Sequence, residues 1–346
     1  MSAPSELRRD PTGGGWVIIA AGRAARPDEF RHQPVHRSGG SAGAPESCPF
    51  CPGRESGTPP EVAAVRPPGS APDGPGWLVR VVPNKYPAFL RGPEPPRPRS
   101  RGFFESLDGI GVHEVVIETP DHEADFPSLG PSQAVDILRT WRDRIRDIES
   151  EPQYAYIQLF KNYGREAGAS LGHPHSQIVA TPIIPQRVRD EIETAARFHA
   201  ETGDCLHCRL IEEESDREER LILRNEAFIV TTPFASRFPY EMHVHPLRHE
   251  ALFSASGDRD LEILAASLQD VLGRFNRALD DPPFNLVLHQ APSPKQTGGR
   301  GTADANSYHW HMEILPVLTR VAGFEWGTGF YINPVPPEAA AAVLRA

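Results

Sequence analysis

The sequence lacks the features of a membrane or secreted protein. Its 346 residues contain no apolar run near the roughly 18 residues that cross a bilayer, and the stretch from Met1 to Pro11 is polar, without an apolar signal core. It also lacks a surplus of basic residues, because the net charge is −10, which argues against a nucleic-acid partner held through its phosphates. We therefore expect a cytoplasmic protein that folds in water and binds neither membranes nor nucleic acids.

Cysteine is scarce, and all four cysteines fall in two Cys-x2-Cys pairs. The pairs are Cys48 with Cys51 and Cys205 with Cys208. Without a secretory signal, this spacing favours a zinc site first and a redox motif second. A thioredoxin-like redox motif is the rival interpretation, but the prolines around the first pair are typical of turns rather than of a helix start. We predict zinc at both pairs.

Two histidines, His173 and His175, lie two residues apart, directly before an apolar run. On a β-strand, residues i and i+2 share a face, so both rings can point into one site. Such a pair could be buried core, metal ligands, or a nucleophile with its orienting neighbour. Lys161, Asn162 and Ser170 precede it with a cation, an amide and a hydroxyl, and the glycines among them let the backbone approach an anion. The pattern favours a functional site for a phosphorylated small molecule.

The landmarks of the first half of the chain recur in the same order in the second half. Each half has a cysteine pair, a β-rich run that contains glutamate and histidine, and a His-x-His element. The aligned residues are Glu114 with Glu241, His122 with His249, and His173 with His309. The repeat indicates an internal duplication, in which the two glutamates are expected to fill equivalent structural roles.

Between these landmarks, each half carries one amphipathic helix, predicted over 135–148 and 261–275. Short β-rich runs predict strands at 77–82, 113–117, 154–160, 227–232, 284–289 and 309–315. A charged segment at 187–197 indicates a connecting helix. We therefore predict an α+β fold, made by tandem duplication of a half-domain with an antiparallel sheet and flanking helices. The two halves are predicted at 1–198 and 199–346.

The aligned histidines are candidates for the ligands that each cysteine pair lacks. The predicted zinc sets are Cys48, Cys51, His122 and His173, and Cys205, Cys208, His249 and His309. His243 and His245 remain alternatives to His249, because they lie just before it in the β-rich run of the second half. Four protein ligands leave no position for water, so we expect both zinc ions to hold the fold rather than to activate a nucleophile.

These residues resemble the galactose-1-phosphate uridylyltransferase family, a branch of the histidine triad superfamily whose chains are two fused half-domains. The resemblance covers nearly the whole chain. It begins with the N-terminal run from Glu6, includes the first cysteine pair and the His-Pro-His element, and ends with the run from Ala322 to Pro334. The second cysteine pair, Cys205 with Cys208, places the chain nearer a bacterial branch of the family with two zinc knuckles. It implies that each half is histidine-triad-like.

The resemblance also implies roles for individual residues. His175 is implied as the nucleophile that attacks the α-phosphorus of a nucleotide sugar, Gln177 as a catalytic contact to the phosphoryl oxygens, and His173 as a metal ligand. The further substrate-binding candidates are Arg23, Arg26, Asn84, Lys161, Asn162 and Ser170. A glycine-rich stretch adds Lys295, Gln296 and Tyr308, which are expected to complete the neighbouring subunit's site in a homodimer.

The function implied is transfer of UMP between UDP-glucose and a hexose 1-phosphate such as galactose 1-phosphate, by a ping-pong mechanism through uridylyl-His175. The partners would be a nucleotide sugar and a sugar phosphate, with two structural zinc ions as cofactors. Three alternatives remain: an ADP-glucose:phosphate adenylyltransferase, a nucleotide hydrolase, and a nucleotide sensor without chemistry.

Overall fold

The computed structural model describes residues 4–25, 47–92, 94–292 and 305–346. The strands are β1 Glu6–Arg9, β2 Trp16–Ile19, β3 Ala63–Val65, β4 Val79–Pro83, β5 Pro98–Arg101, β6 Phe104–Leu107, β7 Val112–Ile117, β8 Tyr156–Tyr163, β9 His175–Thr181, β10 Leu221–Arg224, β11 Phe228–Thr231, β12 Met242–Pro246, β13 Phe284–His289, β14 His311–Pro316 and β15 Tyr331–Asn333. The helices are α1 Pro131–Glu149, α2 Gln186–Thr202, α3 Leu206–Arg217, α4 Asp258–Leu279, α5 Gly323–Thr328 and α6 Pro337–Arg345. Each strand and helix predicted from the sequence corresponds to one of these elements. Among the described residues, no helix is long and apolar enough to span a bilayer.

Ten strands form one antiparallel sheet, in the order β3-β4-β7-β9-β8-β13-β14-β12-β11-β10. Five strands of the first half are followed by five strands of the second half in mirrored order. The halves join at β8 and β13, where Leu159 lies opposite Leu288. The predicted α+β duplication with an antiparallel sheet is confirmed.

Helices α1 and α4 pack together on one face of this sheet. Their apolar residues recur at helical spacing, so Leu138, Trp141 and Leu268 are buried in one core with the strands. Burial of such side chains stabilises the fold by about 1.5–3 kcal/mol each. Trp141 also donates its indole N–H to the hydroxyl of Ser176 at 2.7 Å. This bond attaches α1 to the strand that carries the His-Pro-His element.

Helices α2 and α3 contact each other on the opposite face of the sheet. Val188 and Ile192 of α2 are buried against Tyr156 and Tyr308. Helix α2 spans the predicted connecting segment and ends at Gly203, whose φ of 79° is the left-handed conformation that favours glycine. The connection between the halves is therefore a packed part of the structure.

The two ends of the described chain meet in a small second sheet. Strand β15 runs parallel to β2 and pairs Ile332 with Ile18. Arg8 of β1 donates to Glu338 of α6 at 2.8 Å and lies over the ring of Phe234. The N-terminal hairpin thus packs against the second half.

Strand register corrects the alignment of Glu114 with Glu241. Glu114 lies on the face that bears α1, where its two oxygens accept hydrogen bonds from Arg144 at 2.9 and 2.8 Å. Glu241 lies on the opposite face, with one oxygen 3.1 Å from Nε2 of His243. Successive strand residues point to opposite faces, so the two glutamates differ by one residue in register. The prediction that they fill equivalent roles is wrong.

Candidate active site and metal sites

His175 begins β9 and is buried beside the first cysteine pair. Its Nδ1 donates to the carbonyl oxygen of His173 at 2.8 Å, which leaves the lone pair on Nε2. The ring of Phe50 closes one side, with its centroid 5.5 Å from the His175 centroid. Burial lowers the pKa of His175 below its ordinary value. A neutral imidazole with a fixed tautomer suits nucleophilic attack.

Gln177 lies two residues further along β9, on the same face as His175. Its Oε1 accepts a hydrogen bond of 2.8 Å from Nε2 of His113 on β7. Nδ1 of His113 accepts a hydrogen bond of 3.0 Å from the backbone N–H of Ala88, so the proton of the His113 ring lies on Nε2. The amide NH₂ of Gln177 is thereby left to donate to another group. Asn84 lies next to this pair, with Nδ2 3.1 Å from His113 Nε2, but because both nitrogens carry hydrogen this contact is not a hydrogen bond.

The sequence analysis did not identify His113 as a site residue. Its position on the strand paired with β9 brings it to Gln177, and Val179 is its direct partner in the register. The sequence patterns predicted which residues form strands but not which strands pair. A prediction of the pairing of β7 with β9 would have identified His113.

Lys161 lies behind His175, on the face of the sheet that bears α1. Its Nζ donates to Glu118 at 2.6 Å and contacts the carbonyl oxygen of His175 at 3.4 Å. Both side chains are buried, with relative exposures of 6% and 1%. The charge predicted to serve the substrate is therefore paired within the protein, beneath the backbone of the candidate nucleophile.

Asn162 lies on the same face as His175, at the start of the glycine-rich turn. Its Oδ1 accepts a hydrogen bond from Asn285 of the second half at 2.9 Å, and Asn285 also donates to the carbonyl of Ala167 at 2.7 Å. Gly168 adopts a φ of 91°, which permits the tight turn. Ser170 is exposed at the end of this turn.

The other predicted substrate residues lie elsewhere or outside the described residues. Arg23 lines a surface cavity together with Arg237 of the second half. Tyr308 is fully buried and donates its hydroxyl to Glu191 at 3.2 Å. The residues outside the described ranges are Arg26, Lys295 and Gln296.

The first predicted zinc set comes together beside His175. Sγ of Cys51 is 3.3 Å from Nδ1 of His122 and 3.6 Å from Nδ1 of His173. With Cys48 included, the candidate ligand atoms lie within 4.8 Å of one another. The other ring nitrogen of His173 donates to the carbonyl of Thr119 at 2.7 Å, which directs Nδ1 towards the thiols.

The second predicted set has the same arrangement. Sγ of Cys208 is 3.4 Å from Nδ1 of His249 and 3.6 Å from Nδ1 of His309. Cys205 completes the cluster, again within 4.8 Å. Nε2 of His309 donates to the carbonyl of Pro246 at 2.9 Å. Of the alternatives left by the sequence, His249 lies with the cysteines, whereas His243 and His245 lie in other clusters.

Both clusters fit a structural zinc ion. Two thiols and two imidazoles make a closed tetrahedral donor set, and backbone carbonyls hold the outward ring nitrogens of His173, His249 and His309. An ion in the first cluster would hold His173, whose carbonyl fixes the His175 ring. A metal held there would thus order the ring of His175.

Comparisons with known proteins agree with this geometry. The chain matches the family described as "Galactose-1-phosphate uridyl transferase, N-terminal domain" over residues 2–185. It is 36% identical to an ADP-glucose phosphorylase of Arabidopsis thaliana, over 98% of this chain and 92% of the relative. It is 31% identical to a galactose-1-phosphate uridylyltransferase of Thermotoga maritima, over 98% of each chain. A crystal structure of an ADP-glucose phosphorylase from Arabidopsis thaliana with bound ADP-glucose has 33% identity and a TM-score of 0.80, and covers 99% of this chain and 98% of its own.

The duplicated antiparallel sheet and the His-Pro-His site define a nucleotidyltransferase architecture. The family model matches more than half of the chain, and the two relatives match nearly all of it. These matches identify the family. The chain belongs to the galactose-1-phosphate uridylyltransferase family, as the resemblance predicted.

Proposed function

We propose that the protein transfers a nucleotidyl group from a nucleoside diphosphate glucose to a phosphate acceptor, through a covalent nucleotidyl-His175 intermediate. The observation that carries the proposal is the bond of 2.8 Å from His175 Nδ1–H to the His173 carbonyl, because it leaves Nε2 as the nucleophilic nitrogen.

In the first half-reaction, Nε2 of His175 attacks the α-phosphorus. The bond between that phosphorus and the bridging oxygen breaks, and glucose 1-phosphate leaves with the electron pair. The leaving group is a stable phosphate ester, so no general acid is needed. The phosphorylated imidazole gains a positive charge, which the His173 carbonyl stabilises at Nδ1–H.

In the second half-reaction, a phosphate oxygen of the acceptor attacks the same phosphorus and returns the electron pair to Nε2. The amide NH₂ of Gln177 is oriented by His113 to donate to the phosphoryl oxygens in both steps. A single site can therefore serve donor and acceptor in turn, which is ping-pong chemistry.

Two pairs of donor and acceptor fit this scheme. The first is UMP transfer between UDP-glucose and galactose 1-phosphate, the activity named for the Thermotoga maritima relative. The second is AMP transfer from ADP-glucose to phosphate, named for the Arabidopsis thaliana relative. The higher identity to that relative, 36% against 31%, favours ADP-glucose as donor.

The test is a matrix of two labelled donors, UDP-glucose and ADP-glucose, against phosphate, galactose 1-phosphate and no acceptor. Each donor carries the label in its α-phosphate. We expect acid-labile label on the protein with one donor alone, and net product formation only when an acceptor is added. Turnover without any acceptor would instead identify a hydrolase.

The matched variants are His175→Gln and His199→Gln, the second on α2. We expect His175→Gln to lose about 10⁴-fold or more in kcat while it still binds the donor, because the nucleophile is removed and the pocket is kept. His199→Gln should retain the native kcat and the native binding of the donor. Turnover retained in His175→Gln, or no label on the native protein with either donor, would overturn the proposal.

A further inference from the structure

The second half carries histidines where the first half carries its nucleophile site. By strand register, His311 occupies the position of His175, and Glu313 occupies that of Gln177. His245 then takes the place of an isoleucine on the neighbouring strand. The face that carries His175 and Gln177 in the first half therefore presents additional imidazoles in the second, and imidazoles favour a transition-metal cation. The Glu313 carboxylate is already paired with Arg187 at 3.1 Å and Arg237 at 2.8 Å.

A third imidazole completes this cluster. His207 lies between the cysteines of the second pair, at the place that Phe50 occupies in the first pair. Nδ1 of His207 is 3.3 Å from Nε2 of His245, and the ring centroids of His207 and His311 are 4.8 Å apart. One ring nitrogen from each of the three histidines lies within 4.8 Å of the others.

The hydrogen bonds among the described residues leave this cluster incomplete. All three rings are buried, and Nε2 of His207 has no hydrogen-bond partner within the described ranges. A buried polar nitrogen without a partner costs about 1–3 kcal/mol. Nδ1 of His311 faces the carbonyl of His309 at 3.3 Å, an arrangement that directs the other ring nitrogen into the cluster.

His289 and Glu191 border the cluster, but they already have hydrogen-bond partners. Nδ1 of His289 bonds to Glu191 at 2.8 Å, and Glu191 also accepts the hydroxyl of Tyr308. His289 and Glu191 thus form a hydrogen-bonded pair of their own, whereas His207, His245 and His311 have ring nitrogens directed at one another.

A cavity borders one member of the cluster. His245 lines it together with His243, Leu210, Phe234 and Thr12. His207 and His311 lie behind His245, outside this lining, so an ion bound by the three rings would face the cavity on the His245 side.

We propose that His207, His245 and His311 bind a divalent transition-metal ion, separate from the two Cys2His2 sites and with one coordination position open to the cavity. Three neutral imidazoles are a donor set that suits Zn²⁺, Co²⁺ or Ni²⁺ and disfavours Mg²⁺ and Ca²⁺.

The test is the metal content of the full chain after equilibration with Zn²⁺ and removal of free ion, measured by inductively coupled plasma mass spectrometry. The variants are His207→Phe, which copies the first half, and His245→Gln. The matched control is His243→Gln, the same substitution two residues along the same strand. We expect three Zn²⁺ per chain in the native protein and the control, and two in each variant.

Co²⁺ provides a second readout, because thiolate ligands give charge-transfer absorption and imidazoles do not. Loss of the third ion should leave this absorption unchanged in His245→Gln, which shows that the cysteine sites persist. Crystals of the Zn²⁺-loaded native protein should show an anomalous peak about 2.0–2.1 Å from the three imidazole nitrogens. A native content of two ions, equal contents in native and His245→Gln protein, or no peak at the three rings would each refute the proposal.

Discussion

The buried ion pair of Lys161 and Glu118 permits a sharp prediction about stability. Lys161 Nζ is joined to Oε2 of Glu118 at 2.6 Å with both side chains buried, and Oε1 of Glu118 has no hydrogen-bond partner among the described residues. Lys161→Met would leave an unneutralised carboxylate in the core. Breaking such a pair costs about 3–5 kcal/mol, whereas replacing both partners with apolar residues is close to neutral.

We therefore expect Lys161→Met to lower the free energy of unfolding by about 3–5 kcal/mol, and Glu118→Leu/Lys161→Met to recover at least about 2 kcal/mol of that loss. The assay is urea unfolding of the Zn²⁺-loaded protein, with both single variants and the double variant in one thermodynamic cycle. The slope of the free energy against urea should be the same in all four proteins.

The same cycle separates a positioning role for Lys161 from a direct substrate contact. A positioning lysine predicts lower stability and lower kcat with little change in KM, because its Nζ contacts the His175 carbonyl. A substrate contact predicts higher KM with stability nearly unchanged. Additive effects of the two substitutions, or a loss below about 1 kcal/mol in Lys161→Met, would refute the structural reasoning.

Three further predictions concern other parts of the fold. Trp141→Phe removes the hydrogen bond to the buried Ser176 hydroxyl, so it should lower the free energy of unfolding by about 1–3 kcal/mol. The measurement is thermal or urea unfolding, and a change below roughly 0.5 kcal/mol, which is about the error of the method, would contradict the prediction. Chelation of the metal, followed by calorimetry, should lower Tm, and added Zn²⁺ should restore it; an unchanged Tm would contradict a structural role for the cysteine clusters. Burial alone raises the pKa of Glu338, but hydrogen bonds from Arg8 and Arg220 lower the pKa overall from its ordinary value of 4.5. The ionised Glu338 therefore stabilises the folded protein above about pH 4.5, and this stabilisation is lost as the pH falls through the lower pKa of the folded state. The stability difference between native protein and Glu338→Gln should shrink over that acidic range, and a difference that is independent of pH would contradict the ion pairing.

The spacing of residues in the sequence was sufficient for much of the site. The Cys-x2-Cys pairs and the aligned histidines predicted both metal clusters, because a duplication repeats its ligands in the same order. Helical periodicity and short β-rich runs were likewise local signals, so the elements and the duplicated fold followed from them. The prediction that His173 and His175 share a strand face was wrong, because β9 begins at His175 and His173 lies in the bend before it.

Only the tertiary structure decided those contacts of the site that depend on which strands pair and on the register of the pairing. It brought His113 to Gln177, turned Lys161 away to Glu118, and placed Glu241 on the face opposite to that of Glu114. None of these relations is local in sequence, since each joins separate strands or depends on the pairing of one strand with its neighbour. A shift of one residue in register moves a side chain to the other face of a sheet, and only long-range packing selects between the two.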